Sequence, residues 1–300
     1  MPRVSIVIPT YRHRDFILQT LDSVFAQTMR DFEIIVVNDG SPDDTAVLLA
    51  PHVVAGRLFY YEQTNQGQSR ARNFGIERAR GEYIALLDDD DLWPPDKLEW
   101  QTQFLDENPG VGLVAGTLVA IDERGTVGGG GVFWPSITFE ALFAENPLLS
   151  PGQTLVRADL LKRLGGMNPT IWGADDWDLW LRIAKQSRLV MQDRLALYYR
   201  LHPANASKQT ARLLEASIAT FKTHIADVPH ERHRALRVGF ERTMYRGFGS
   251  TLVQNARHHL RLGDFRKAWN ELRALATLWR GLAFDGETRS MFLRNVLGRE

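Results

Sequence analysis

Three hundred residues make one large domain or two modest ones, and 44% hydrophobic with 10% aromatic residues is the composition of a packed chain rather than a disordered one. The absence of cysteine excludes a disulfide scaffold, thiolate zinc sites, iron–sulfur clusters and thiol catalysis. Lys and Arg total 36 and so do Asp and Glu; a formal net charge of zero speaks against a basic nucleic-acid binder.

The longest nearly unbroken apolar run, Leu113–Ile121, is far short of the roughly 20 residues that span a bilayer. The apolar stretch before Pro9 is too short for a signal-peptide core, so a cytoplasmic protein is expected. The zero charge hides an asymmetry. Residues 1–200 hold 19 basic against 27 acidic side chains, a balance of −8, and residues 201–300 hold 17 against 9, a balance of +8.

In chain order, Val4–Ile8 is a short β-branched run that predicts a strand covered on both faces. Ile17, Leu18, Leu21, Val24 and Phe25 are spaced as the buried face of a helix. Glu33–Val37 predicts a second strand, Asp43–Ala50 a helix and Arg57–Glu62 a third strand. Ser69–Arg80 predicts another helix and Tyr83–Leu87 a fourth strand. This alternation argues for right-handed βαβ units, and hence an α/β fold with a mostly parallel sheet flanked by helices. A helix to about Asn108 and a strand over Val111–Ile121 follow. Gly125–Gly131, with five glycines in seven residues, predicts a flexible connection: a surface hairpin loop, or a lid. Gln153–Val156 reads as a strand, Asp175–Lys185 as a helix and Leu189–Tyr199 as strand and loop. Beyond about Ser207 the pattern is helical, with Leu213, Leu214, Ile218 and Phe221 on one face and Ala268, Leu272, Leu275 and Leu278 on another.

Open α/β sheets bind ligands at the carboxyl ends of their strands, and the polar residues fall there. Thr10-Tyr11 follows the first strand, Asp39 the second and Asp88–Asp91 the fourth. Four adjacent carboxylates repel one another, by about 4 kcal/mol for a pair about 4 Å apart at an effective dielectric of about 20. A divalent cation holding a diphosphate would offset this; a solvated acidic turn is the alternative. Asp39-Gly40 is either a plain turn or an acceptor for the ring N–H of a base, with Tyr11 stacked on it. The stretch Asn65–Asn73 enters a helix whose N-terminus suits a phosphate, but Arg70 and Arg72 lie two apart and cannot share a face. No Gly-x-Gly-x-x-Gly or Gly-Lys-Ser/Thr motif is present. Asp175, Asp176 and Asp178, among Trp172, Trp177 and Trp180, either cap a helix or supply a general base beside a sugar platform. His202 is either structural or a metal ligand.

Together these stretches resemble the family-two glycosyltransferases, inverting nucleotide-sugar enzymes of the GT-A fold. The residues that carry the resemblance are Val4–Tyr11, Gln27–Ser41, Gly67–Gly75, Gly81–Asp91, Gly165–Met167, Asp175–Arg182 and Tyr199–Pro203, all in the family's order. The resemblance covers about residues 3–205, read as a GT-A catalytic domain over 1–205, with 206–300 as a helical C-terminal extension. It implies that Pro9, Thr10, Tyr11, Asp39, Arg72, Asp88 and Asp89 bind a nucleoside diphosphate sugar, with a UDP-sugar favoured. It implies that Asp90 and His202 hold Mn²⁺ or Mg²⁺, and that Asp176 is the catalytic base. The acidic pair is usually Glu-Asp, and here it is Asp175-Asp176. The acceptor would be a glycan, a lipid-linked molecule or a protein, and nucleic acid is not an expected partner. A nucleotidyltransferase and a non-catalytic sugar-binding module are the alternatives. The basic helical end, with Trp269, Trp279 and Phe284 among its arginines, is either an ordinary solvated face or a contact with a partner or with the anionic inner face of the membrane.

Overall fold

The computed structural model describes residues 1–130, 133–134, 137–144, 146–203, 205 and 208–282. Gly131, Ser207 and Phe284, and the side chains of Leu278 and Trp279, fall outside the described residues. The elements in order are β1 (Val4–Thr10), α1 (Arg14–Phe25), β2 (Phe32–Asn38), α2 (Thr45–Val54), β3 (Phe59–Glu62), α3 (Gln68–Arg78), β4 (Tyr83–Leu86), α4 (Lys97–Glu107), β5 (Val111–Ile121), β6 (Val127–Gly130), α5 (Ala141–Ala144), β7 (Thr154–Arg157), α6 (Ala158–Arg163), α7 (Asp175–Ala184) and β8 (Arg188–Arg200). Then come α8 (Thr210–Ile225), α9 (His233–Met244), α10 (Ser250–Arg261) and α11 (Phe265–Leu282).

The strands form one sheet in the order β3-β2-β1-β4-β7-β5-β6, with β8 also paired to β5. Four ladders are parallel: β1 with β2, β1 with β4, β2 with β3, and β5 with β8. All seven residues of β1 are buried, as a β-branched run covered on both faces requires. Val4, Ile6 and Ile8 share a core with Ile17, Leu21 and Val24 of α1. Val7, on the opposite side of the strand, meets α3 at Gly75.

Two expectations change. The glycine-rich stretch is not a flexible connection throughout: Val127–Gly130 pairs antiparallel with β5, Val119 opposite Gly130 and Ile121 opposite Val127. Backbone pairing needs no side chains, so a glycine run can complete a hairpin. Leu272 does not join Ala268 and Leu275 in the helical core; it is 41% exposed while they are buried.

The chain divides into two compact units. One comprises Met1–Phe139, Pro147–Thr170 and Asp175–Pro203 and holds the sheet. The other comprises Glu140–Asn146, Ile171–Ala174 and Ala204–Glu300. Within the second, Leu214, Tyr245, Leu252, Val253, Ala274 and Leu275 form a core. There Phe221 stacks on Phe240, ring centres 4.4 Å apart, and meets Phe143 edge-on.

Candidate active site

β1 pairs with β2 on one side and β4 on the other, so the connections leaving it diverge at its carboxyl end. Such a switch point opens a crevice in an α/β sheet, and the predicted residues gather there. Pro9 and Thr10 are buried at the end of β1, and the Asp39 N–H donates to the Thr10 carbonyl at 2.9 Å. Tyr11 stands 36% exposed at the rim. Arg12 takes a φ of 64°, uncommon outside glycine. That turn, tied to the Ser41 hydroxyl by the Arg12 N–H at 3.1 Å, precedes His13.

The four aspartates after β4 have four different partners. Asp88 accepts from the Arg72 guanidinium at 2.5 Å and from Gln68 at 3.2 Å. Asp89 lies 2.7 Å from His13 Nδ1 and accepts from the Tyr11 N–H at 3.2 Å. Asp90 lies 2.8 Å from His202 Nε2, with His13 Nδ1 4.0 Å away. Asp91, fully buried, accepts from the Arg200 N–H at 2.9 Å. Burial and the neighbouring carboxylates hold the Asp91 carboxyl well above its ordinary range, and burial also raises that of Asp89. Burial works against a charge on His13, but Asp89, Asp90 and Asp88 overcome it and push its pKa up to about 9. An imidazolium thus sits among the carboxylates. A ring nitrogen of His13, a carboxylate oxygen of Asp90 and a ring nitrogen of His202 lie within 4.8 Å of one another, close enough to share one ion.

Asp39 faces the loop before α3. Its carboxylate accepts from Gln63 Nε2 at 2.7 Å and from the N–H groups of Gln66 and Gly67, each at 2.8 Å. Gly40 beside it has φ 71°, and a Cβ there would meet Asn65 N at 3.0 Å, so the turn requires glycine. Asp39 therefore shapes the N-terminal approach to α3. An ionised carboxylate has about four lone-pair sites, so accepting from a base remains open to it.

Arg72 is buried while Arg70 is exposed, which decides between the two. Arg72 bridges Asp88 and, at 3.3 Å, Asp175. Asp175 also accepts from the Ser69 hydroxyl at 2.7 Å. The chain Asp88–Arg72–Asp175 thus links the end of β4 to the first turn of α7. Asp176, half-buried in that turn, accepts from the Trp177 N–H at 2.6 Å. Lost solvation first, and the Asp175 charge second, push its carboxyl up to about 8. Asp178 pairs instead with Arg182 at 2.8 Å within α7.

Sequence reasoning missed His13, Ser69 and Arg200. His13 lies two residues beyond Tyr11, and that closeness was the available signal. Arg200 is fully buried; its guanidinium donates to the carbonyls of Asp90 at 2.8 Å and Glu123 at 2.9 Å, and to Gln19 at 3.0 Å. Its motif position drew attention only to His202. A cavity of about 610 Å³ lies elsewhere, lined by Asp31, Glu33, Arg57, Phe59 and Arg80 among others, and holds none of the predicted site residues.

The known pattern described as Glycosyl transferase family 2 matches residues 5–165, more than half of the chain. The chain belongs to this family. That membership favours glycosyl transfer over the nucleotidyltransferase and sugar-binding alternatives. A glycosyltransferase of Rickettsia typhi is 30% identical over 225 residues, 71% of this chain and 69% of that protein. The chondroitin synthase of Escherichia coli is 29% identical over 208 residues, 69% of this chain but 30% of the synthase. A Rickettsia felis glycosyltransferase is 32% identical over 191 residues, and the match spans 31% of its length, so the chain corresponds to only part of several relatives. Among solved structures, the Pyrobaculum calidifontis mannosyltransferase PcManGT, in complex with GDP-Man and Mn²⁺, aligns with a TM-score of 0.61 at 20% identity, covering 100% of this chain and 88% of that one. S. aureus TarS residues 1–349, in complex with UDP-GlcNAc, aligns with a TM-score of 0.59 at 17% identity, covering 94% and 92%. At such identities the likeness establishes the shared GT-A fold. Among the described residues, no helix is long and apolar enough to cross a membrane.

Proposed function

We propose that this glycosyltransferase moves a sugar from a nucleoside diphosphate sugar, a UDP-sugar by preference, onto an acceptor hydroxyl, with inversion at the anomeric carbon. The carrying observation is that one buried guanidinium, Arg72, joins two acidic centres of different character. One is the aspartate and histidine cluster after β4, suited to a cation and a diphosphate. The other is the Asp175-Asp176 pair, where a carboxyl with a pKa of about 8 suits proton abstraction near neutral pH. Residues 1–205 are read as the catalytic part and 206–300 as a helical extension.

The residues fit a divalent ion, because a carboxylate oxygen of Asp90 and one nitrogen each of His13 and His202 lie within 4.8 Å of one another, provided His13 gives up its proton to bind. Asp90 and His202, joined by His13, would hold Mn²⁺ or Mg²⁺, which supplies Lewis-acid neutralisation of the departing diphosphate. Tyr11 and Asp39 would receive the base, and Asp88 and Asp89, positioned by Arg72 and His13, would face the ribose and diphosphate. Asp176 takes the acceptor proton as the acceptor oxygen bonds to the anomeric carbon. The carbon–diphosphate bond breaks on the opposite face, so one displacement inverts the centre. The nucleotide sugars held by TarS and PcManGT and the polymer made by a chondroitin synthase support a nucleotide-sugar donor and a glycan-type acceptor.

The test is a thermal-shift screen of nucleoside diphosphates and their sugars with and without Mn²⁺, followed by a product assay. UDP-sugars should stabilise the protein most, in a Mn²⁺-dependent way, and turnover should release UDP. Stabilisation by GDP-sugars alone would replace the uridine preference, and no nucleoside diphosphate release with any donor would refute the reading.

A further inference from the structure

The second unit carries a row of large apolar side chains that its own core does not use. Leu262 is 67% exposed, Phe265 71%, Trp269 66% and Leu272 41%. Leu262 lies in the turn before α11, and within the helix Phe265, Trp269 and Leu272 follow at spacings of four and three, so these three line one side of it. Ala268, Ala274 and Leu275 take the side that packs inward. Helix α11 is therefore amphipathic twice over, with one apolar face in the core and a second facing solvent.

The surround of that second face is basic. Arg261, at the end of α10, and Arg266 and Arg273, beside the row on α11, are exposed. Arg273 meets Glu215 at 3.0 Å, and Lys267, on the far side of the helix, meets Asp264 at 3.1 Å. Residues 201–300 carry 17 basic against 9 acidic side chains. A second copy of this chain would bring an equally basic rim against this one, which opposes self-association through the face. A surface that is apolar within and anionic at its boundary complements it. Trp and Phe favour the interfacial depth of a bilayer, and Arg and Lys favour anionic headgroups.

We propose that Leu262, Phe265, Trp269 and Leu272 form a lipid-contacting face by which the helical unit rests on an anionic membrane surface, with Arg261 and Arg266 at the headgroups. The contact is peripheral, made by side chains laid into the interface rather than by a spanning helix. It is independent of the donor reading, since it needs no nucleotide.

Co-sedimentation with vesicles of phosphatidylcholine, with and without phosphatidylglycerol, tests it. The 300-residue protein should pellet with phosphatidylglycerol vesicles at low salt and be partly released at high salt. The double variant Phe265→Glu/Trp269→Glu should bind at least about 10-fold more weakly, as removal of the apolar anchor requires. Arg261→Glu/Arg266→Glu should weaken binding to anionic vesicles while keeping the apolar row. Unchanged melting temperatures and nucleotide-induced shifts would show that the variants fold and that the donor site is intact. Failure of the wild-type protein to pellet with phosphatidylglycerol vesicles at low salt would overturn the proposal. So would equal binding by both variants, or a wild-type oligomer that Phe265→Glu/Trp269→Glu converts to monomer, which would assign the face to a second copy.

Discussion

Replacing Asp176 by Asn should make the protein more stable and almost inactive at once. The Asp176 carboxyl is pushed from an ordinary 3.8 up to about 8 by burial and by Asp175. The folded state therefore keeps a proton that the unfolded state releases once pH exceeds 3.8. Folding stability falls as pH rises between these values, at about 1.4 kcal/mol per unit for a fully realised shift. At pH 7 the limit is about 4 kcal/mol, and residual solvent access to a half-buried group reduces it to about 1–3 kcal/mol. Asn is nearly isosteric, can still accept from the Trp177 N–H, and carries no charge at any pH. Its melting temperature should exceed that of the parent by about 2–10 °C at pH 7.5, and the gain should shrink towards zero near pH 4. Sugar transfer should fall by about 10²-fold or more, the scale of a lost general base, while donor-induced stabilisation persists. Circular-dichroism melts at both pH values and an assay of nucleoside diphosphate release check each part. A near-normal kcat would reject the base assignment, and a variant equally destabilised at pH 4 and 7.5 would reject the electrostatic account.

The same carboxyl predicts that kcat/KM for transfer rises with pH and levels off above about 8; a flat profile from pH 6 to 9 would place the base elsewhere. Asp90→Ala should abolish the Mn²⁺-dependent part of donor-induced stabilisation, and full turnover of the parent enzyme in excess chelator would rule out a metal role. Gly81→Ala should destabilise the chain by about 1–3 kcal/mol, because a Cβ there would lie 2.6 Å from the Ser5 backbone nitrogen and 2.8 Å from the Val4 carbonyl carbon. Denaturant unfolding measures this, and a change below about 0.5 kcal/mol would mean that the β1–β4 junction is more yielding than it looks.

Periodicity made the first half of the fold legible. β1, β2, β4 and β5 are nearly continuous apolar runs, and their placement at buried positions follows from that. Periodicity misled where backbone pairing needs no side chain, as in β6, and where a helix has apolar residues on two faces, as at Leu272. It also gave no sign of α6, whose six residues are too few to show a period. The family motifs marked the site segments, but residue spacing could not tell which oxygen meets which partner. Ser69 and Asp175 are 106 positions apart, and Asp90 and His202 are 112 apart; only the folded sheet brings them together.

Those long-range partners change the electrostatics of the acidic run. Four adjacent carboxylates were expected to need a cation, and the chain already supplies positive charge or N–H donors to three of them. Arg72 serves Asp88, the His13 imidazolium serves Asp89, and the Arg200 N–H serves Asp91. The case for a metal therefore rests less on the repulsion of the run than on Asp90, where His202 and His13 converge. A metal ligand imidazole must be neutral, whereas His13 without an ion is held protonated by the aspartates. An ion bound there would displace the His13 proton, so its binding should strengthen as pH rises towards about 9.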